Sequence, residues 1–156
     1  EKQAYQLVSI KTVILLGGMA PLSTALQETG AAQLIADTVI HIIGDSTNPY
    51  FICAVIFIFT CVMTQFMSNT VTVMLLMPII IAIANTIGVV PNALIMVLGI
   101  ASTVSILTPI ACPPANLIYS YGGYKFHDYI KSNIGLALVW MISCIVLIPL
   151  IWPFYA

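Results

Sequence analysis

The stretch MSNTVT at residues 67–72 lies between two strongly apolar segments, YFICAVIFIFTCVMTQF at 50–66 and VMLLMPIIIAIA at 73–84. It is polar but uncharged, and no formally charged side chain occurs between Asp45 and Lys125. A polar turn in water normally brings charge or more turn-forming residues. The stretch therefore predicts a turn that lies in an environment other than bulk water.

The composition of the whole chain is that of a membrane protein. Its 156 residues are 61% hydrophobic and 6% charged, with a mean hydropathy of +1.11, whereas soluble domains carry about 25% charged residues. Apolar segments recur along the entire length, so a signal peptide does not explain them. We therefore predict an all-α polytopic membrane protein in a lipid bilayer. The absence of arginine and of any basic patch argues against a nucleic-acid partner.

The first predicted unit, residues 1–43, holds a spanning helix and an amphipathic arm. Residues 7–22 are apolar and break near GGMAP, where Pro21 removes a backbone donor. Residues 22–43 interleave apolar and polar side chains, with a break expected at Gly30. This pattern fits a horizontal helix at the membrane surface. The chain starts at Glu1, almost directly before a hydrophobic helix, so we expect a fragment of a longer polypeptide.

The second predicted unit, residues 44–156, is a transport domain. It begins with the turn cluster GDSTNP at 44–49 and continues as a hairpin of two apolar arms over 50–87. A broken helix is expected over 92–121, and a last spanning helix over 133–152.

The hairpin is predicted to be re-entrant, with its tip at MSNT inside the bilayer. The positive-inside tendency places the lysines in the cytoplasm. They lie at the start of the chain and in the segment before the last helix: Lys2, Lys11, Lys125 and Lys131. The hairpin 50–87 then begins and ends outside the cell. If its arms crossed the whole membrane, the turn between them would be cytoplasmic and would be expected to carry Lys or Arg. Backbone groups of a tip within lipid must meet protein, an ion or water, because each unpaired group costs several kcal/mol. Hydroxyl and amide groups supply oxygens for a small cation and donors for an anion.

A second interruption, TPIACPPAN at 108–116, is expected at a similar depth. The helix before it, 92–107, spans only about 24 Å. Three prolines within six residues cannot continue that helix, which we expect to resume near Leu117. Free carbonyls of one half and free N–H groups of the next would then face the same point. Secondary transporters bind ions and substrates at paired breaks of this kind.

Three stretches resemble the divalent anion/sodium symporter family, solute carrier family 13. TQFMSNTVTVMLLMPI (64–79) is similar to the Ser-Asn-Thr signature of that family. LTPIACPPANLIYSYGGYKFHDYIK (107–131) is similar to the proline-rich unwound segment and the following loop of its bacterial permeases. LLGGMAPLSTALQETGAAQLIA (15–36) resembles its glycine-rich helix and horizontal arm. The likeness covers nearly the whole chain, and the order of the pieces makes it specific.

The resemblance implies an architecture and a mechanism. The family is built from two inverted repeats, each with one hairpin and one broken helix, and it works as a homodimer with an elevator-type motion. This chain resembles the end of the second repeat, so the first repeat of the same polypeptide would be a missing partner. The expected location is the plasma (inner) membrane, crossed several times.

The resemblance also implies two sets of site residues. A small anionic substrate would be bound by residues of the tip and the break: Ser68, Asn69, Thr70, Cys112, Pro113 and Asn116. A co-transported sodium ion would be bound by tip side chains and break carbonyls: Thr64, Ser68, Asn69, Ala111 and Cys112. The chain departs from the family where relatives commonly carry Thr-Pro-Pro-Asn, because it has Cys112, Pro113, Pro114 and Ala115, with the amide of Asn116 one residue later.

Several functions stay open. Sodium-coupled symport of a dicarboxylate or sulfate is the leading hypothesis. A proton-coupled or arsenite-type permease would need a titratable group at membrane depth, and none occurs between Asp45 and Lys125. A non-transporting structural fragment would have the same sequence features. An enzyme is not expected, because intramembrane His, Asp or Glu clusters are lacking.

Overall fold

The computed structural model describes residues 10–43, 48–109 and 111–155, and this part of the chain is helical, without strands. In chain order the helices are α1 (Ile10–Glu28), α2 (Ala31–Ile43), α3 (Pro49–Met63), α4 (Asn69–Ile87), α5 (Pro91–Ser102), α6 (Pro113–Gly122) and α7 (Phe126–Ile151). The predicted turn at 44–49 lies mostly outside the described residues. The all-α class agrees with the prediction from sequence.

The sequence predicted that the first helix breaks near Pro21. The structure corrects this prediction, because α1 continues to Glu28. An internal proline removes one helical hydrogen bond and crowds the carbonyl four residues back, and membrane helices tolerate both effects. The predicted break at Gly30 is confirmed. Gly30 has a φ of +71°, the left-handed conformation that glycine adopts without strain. The N–H and the hydroxyl of Thr29 both donate to the carbonyl of Ala25, at 2.9 and 2.6 Å, and close the end of α1.

Helix α2 is amphipathic, as predicted, and packs against α1 and α4. Its buried face carries the small residues Ala32 and Ala36, while the polar Gln33 and Asp37 are exposed. The amide nitrogen of Gln33 donates to the hydroxyl of Thr86 on α4 at 2.7 Å. The arm is therefore fixed to the hairpin by small-residue packing and by one polar contact.

Helices α3 and α4 occupy the predicted hairpin and are joined by residues 64–68. The turn therefore lies earlier than the predicted tip MSNT at 67–70, because Ser68 caps α4 and Asn69 and Thr70 are already helical. Asn48 caps α3 by accepting the N–H of Tyr50 at 3.1 Å. Ser68 caps α4, which ends at Gly88 with a φ of +71°. These caps satisfy backbone groups that the helix ends would otherwise leave unpaired.

Helix α5 packs against both hairpin arms, whereas the two arms contact each other sparsely. The face of α5 that enters the hairpin is fully buried and consists of small and branched apolar residues: Ala93, Leu94, Val97, Leu98 and Ala101. Because α5 fills the space between the arms, its C-terminal end lies beside the hairpin turn.

The break between α5 and α6 differs from the prediction at both ends. Helix α5 ends at Ser102 rather than near residue 107, and α6 begins at Pro113 rather than near Leu117. The hydroxyls of Ser102 and Thr103 bond to carbonyls three residues back, at 2.7 Å each, and compete with the helical ladder. Prolines are favoured in the first helical turn, where their missing N–H costs nothing.

Helix α7 begins at Phe126, seven residues before the predicted start at 133. The Asp128 carboxylate accepts the N–H of Lys125 at 2.8 Å and so satisfies a backbone donor at the start of α7. The polar residues 126–131, which the sequence analysis places in a loop, therefore form the first turns of α7.

The start of α3, the α4–α5 turn and the end of α7 lie at one end of the molecule. The N–H of Val90 donates to the carbonyl of Phe154 at 2.9 Å, and the rings of Tyr50 and Phe154 meet edge to face with centroids 5.3 Å apart. Of the described helices, α4 and α7 are long and apolar enough to cross a membrane, and α3 and α5 are shorter apolar helices.

Candidate functional site

The buried Thr64 hydroxyl is the centre of the hairpin tip. Thr64 follows the last turn of α3 and is 0% exposed. Its Oγ1 lies 2.9 Å from Oδ1 of Asn69, the first residue of α4, and 2.9 Å from the carbonyl oxygen of Ser102, the last residue of α5. Oxygens from three helices therefore converge at the point where the hairpin turns and α5 ends.

This cluster has more acceptors than protons. The Thr64 hydroxyl carries one proton and faces two oxygens, so it satisfies only one of them. The other contact needs either a rotated Asn69 amide, with its nitrogen toward Thr64, or a cation among the oxygens. Neutral hydroxyl, amide and carbonyl oxygens are suitable ligands for a small hard cation.

The exposed start of α4 lies directly beside this cluster. Ser68 Oγ accepts the N–H of Val71 at 3.4 Å, and the Ser68 carbonyl accepts the Thr72 hydroxyl at 3.1 Å. Ser68 and Thr70 are exposed, and Asn69 is half-buried. The positive end of the α4 dipole lies here, and such an end favours a negatively charged ligand. The structure thus places Thr64, Ser68, Asn69 and Thr70 together.

Two amide side chains that the sequence analysis did not single out hold the unwound segment 103–109. Gln65 Nε2 donates to the carbonyl of Val104 at 2.9 Å, and Gln65 Oε1 accepts the N–H of Thr108 at 3.1 Å. Asn133 of α7 donates to the carbonyl of Ile106 at 3.0 Å. The available signal was an uncharged amide inside apolar sequence.

The far side of the break is less well connected to the tip. Ala111 and Cys112 are half-buried and precede α6, and the N–H of Ala111 donates to the Thr108 carbonyl at 3.4 Å. Within the described residues, no hydrogen bond joins Ala111 or Cys112 to the tip. The backbones of Pro113 and Asn116 lie on α6, but their side chains lie outside the described part of the chain. The roles of all four stay predictions.

A tyrosine that the sequence analysis missed anchors α6 to α7. The Tyr129 hydroxyl donates to the carbonyl of Ala115 at 3.0 Å, and its ring lies 6.2 Å, centroid to centroid, from those of Tyr119 and Tyr124. Because Asn133 on the same helix bonds Ile106, α7 contacts both the unwound segment 103–109 and the first turn of α6.

Apolar helices long enough to span lipid, with two helix interruptions meeting at a cluster of neutral oxygens, are the architecture of a membrane transport protein. The chain belongs to the citrate transporter family (CitMHS), which it matches over residues 1–156. This membership agrees with the resemblance to solute carrier family 13 seen in the sequence, and it is a family of transporters, not of enzymes.

Individual relatives support the same membership. The uncharacterized transporter YfbS of Escherichia coli is 33% identical over 98% of this chain and 25% of its own length. Solute carrier family 13 member 2 of Rattus norvegicus is 28% identical over 84% of this chain and 22% of its own length. Solute carrier family 13 member 4 of Homo sapiens is 23% identical over 87% of this chain and 21% of its own length. The chain thus spans about a quarter of the length of these relatives.

Proposed function

We propose that this chain supplies part of a secondary active transporter that couples sodium to the uptake of a small dianion, such as a dicarboxylate or sulfate. The observation that carries the proposal is the cluster of Thr64 Oγ1, Asn69 Oδ1 and the Ser102 carbonyl next to the exposed start of α4. It offers a cation position and an anion position side by side. The membership of the citrate transporter family favours a carboxylate substrate.

Asn69 is the residue that would couple the two ligands. Its side chain belongs to the oxygen cluster, and its backbone begins α4, where the anion would bind. Sodium bound among the oxygens would fix the Asn69 side chain and the first turn of α4. Each ligand then strengthens the binding of the other, by a reciprocal free energy that is typically about 1–3 kcal/mol.

The lengths of two helices support a tip inside the bilayer. Helices α3 and α5 start at the same end of the molecule, and their far ends meet at the contact of Thr64 with Ser102. Their 15 and 12 residues correspond to about 22 and 18 Å. The hydrocarbon layer is about 30 Å thick. The arm α3, if it starts at one face, therefore ends before the other face. The arm α4 is longer, at 19 residues or about 28 Å, and fits the same re-entrant hairpin when it is tilted.

The complete site would need further groups. We propose that the carbonyls of Ala111 and Cys112 add to the sodium ligands, and that Pro113 and Asn116 at the start of α6 contact the substrate with Ser68 and Thr70. A first inverted repeat would contribute a matching hairpin and broken helix. Residues 44–156 would move as an elevator-type transport domain in a homodimer in the plasma membrane, joined to the scaffold by the arm within residues 1–43.

Uptake by the complete transporter polypeptide in proteoliposomes tests this function. We expect Asn69→Ala to abolish sodium-driven uptake of radiolabelled citrate, succinate and sulfate while membrane insertion stays unchanged. Asn85→Ala is the matched control, because Asn85 is exposed near the far end of the same helix. Normal sodium-driven uptake by Asn69→Ala would defeat the site assignment. Uptake driven by a pH gradient without sodium would favour the proton-coupled alternative.

A further inference from the structure

Gln65 is a buried polar side chain that the proposed ligand set does not use. It is 7% exposed and follows Thr64 directly in the hairpin turn. Its Nε2 donates to the carbonyls of Cys61 at 2.8 Å and Val104 at 2.9 Å, and its Oε1 accepts the N–H of Thr108 at 3.1 Å. We call these three hydrogen bonds the Gln65 latch. We infer that the latch is a positioning device that sets the sodium affinity of the neighbouring oxygen cluster.

The chemistry of the latch fixes the orientation of the amide. A primary amide has two N–H donors, and both point at carbonyl oxygens here, while its own oxygen meets a backbone N–H. A rotated amide would place oxygen against two carbonyls and NH₂ against an N–H, which loses all three bonds. Glutamine is thus matched to this place, and neither leucine nor an ionised glutamate reproduces the bonds.

The latch acts on the same unwound segment that supplies a proposed cation ligand. Thr64 contacts the carbonyl of Ser102, and Gln65 bonds the carbonyl of Val104, two residues further along. Thr64 and Gln65, which are consecutive in the hairpin, therefore hold two nearby carbonyls at the end of α5 and the start of the unwound segment. Without the latch, the Ser102 carbonyl is free to move away from Thr64. Sodium must then restore the geometry as it binds, and its affinity falls.

This inference rests on the proposed sodium site, and it predicts a change in sodium affinity rather than a loss of transport. We expect Gln65→Leu to raise the sodium concentration for half-maximal uptake about tenfold, while most of the maximal rate is retained at saturating sodium.

Gln65→Met separates positioning from simple packing, because methionine nearly matches glutamine in length and volume but reproduces none of the three hydrogen bonds. We therefore expect Gln65→Met to lower the sodium affinity about as much as Gln65→Leu.

Gln33→Leu is the matched control, since Gln33 is also an amide that bonds another helix, but it bonds Thr86 on the arm side of α4. We expect it to leave sodium affinity unchanged.

A second readout does not depend on transport. Cys61 is 6% exposed, and its Sγ lies 3.7 Å from the Val104 carbonyl that the latch holds. In the complete transporter with Cys61 as its only cysteine, we expect Gln65→Leu to accelerate labelling by a small thiol reagent at least several-fold, and Gln33→Leu to leave the rate unchanged. Faster labelling would support the latch as a contact that holds the unwound segment even if uptake proved independent of sodium. Such independence would refute the proposed function, and with it the effect of the latch on sodium affinity. Unchanged Cys61 labelling in Gln65→Leu, or a sodium affinity of Gln65→Met equal to that of the wild type, would overturn the inference.

Discussion

Thr60 and Thr64 lie one turn apart on the same buried face of α3, yet their hydroxyls differ in hydrogen bonding. Both residues are 0% exposed. The Thr64 hydroxyl meets two oxygens from other helices, whereas the Thr60 hydroxyl has no hydrogen-bond partner among the described residues. Burial of a threonine in this helix therefore does not by itself mark a binding residue.

This contrast gives a prediction with an internal control. Thr64→Val keeps the shape but removes an oxygen from the proposed cation site, so we expect at least a tenfold loss of sodium-driven uptake. Thr60→Val removes an unpaired hydroxyl, which is neutral or stabilising by about 1 kcal/mol. Uptake and thermal unfolding of the detergent-solubilised complete transporter measure both effects. Equal losses of uptake in the two variants would contradict the assignment.

The sequence predicts only some of the residues of the proposed site. Ser68, Asn69 and Thr70 were predictable because they are polar and uncharged within apolar sequence, and Thr64 followed from the family resemblance. The Ser102 carbonyl was not predictable, because a backbone atom has no sequence signature and contacts Thr64 across 38 positions. Gln65 and Asn133 were missed for the related reason that their partners are backbone atoms of the break.

At the scale of elements, the sequence predicted the hairpin and the existence of the break but misplaced the break's ends. A proline marks where a preceding helix cannot continue, so the sequence places the break around the proline cluster at 109–114. In the structure, Pro113 begins α6, and the unwinding starts ten residues earlier at Thr103. The tertiary bonds from Thr64 and Gln65 to this segment help decide its start, and local propensity does not contain them.

Two glycines of adjacent helices should respond oppositely to alanine. Gly88 ends α4 with a φ of +71°, whereas Gly99 lies inside α5, and a Cβ at either position meets open space. We expect Gly88→Ala to lower the free energy of unfolding by about 1 kcal/mol, because alanine is strained at positive φ. Gly99→Ala should raise it by up to about 1 kcal/mol through helix propensity. Thermal unfolding measures both changes, and a destabilised Gly99→Ala would show that α5 needs the glycine for packing.

At the scale of the molecule, α5 fills the hairpin while α7 covers one side of it. Helix α7 packs against α3 and α5, and many of its large apolar residues are exposed, among them Leu138, Val139, Ile142, Leu147 and Leu150. Such a surface suits lipid or further helices of the transporter. The sequence predicted α7 from its length and hydropathy. It did not predict that α5 lies between the hairpin arms, because that arrangement depends on how buried faces fit together.

The chain turns at residues 64–68, directly before Asn69 and Thr70, and we propose that this turn lies within the bilayer beside a cation site. The most direct measurement is the labelling rate of Ser68→Cys by a membrane-impermeant maleimide, in a complete transporter lacking other cysteines. Asn92→Cys serves as a reference, because residue 92 is exposed at the opposite end of α5. We expect sodium, and sodium with a dicarboxylate, to slow labelling at position 68 at least several-fold and to leave position 92 unaffected. Rapid labelling of position 68 from the cytoplasmic side, equal under all conditions, would contradict the account.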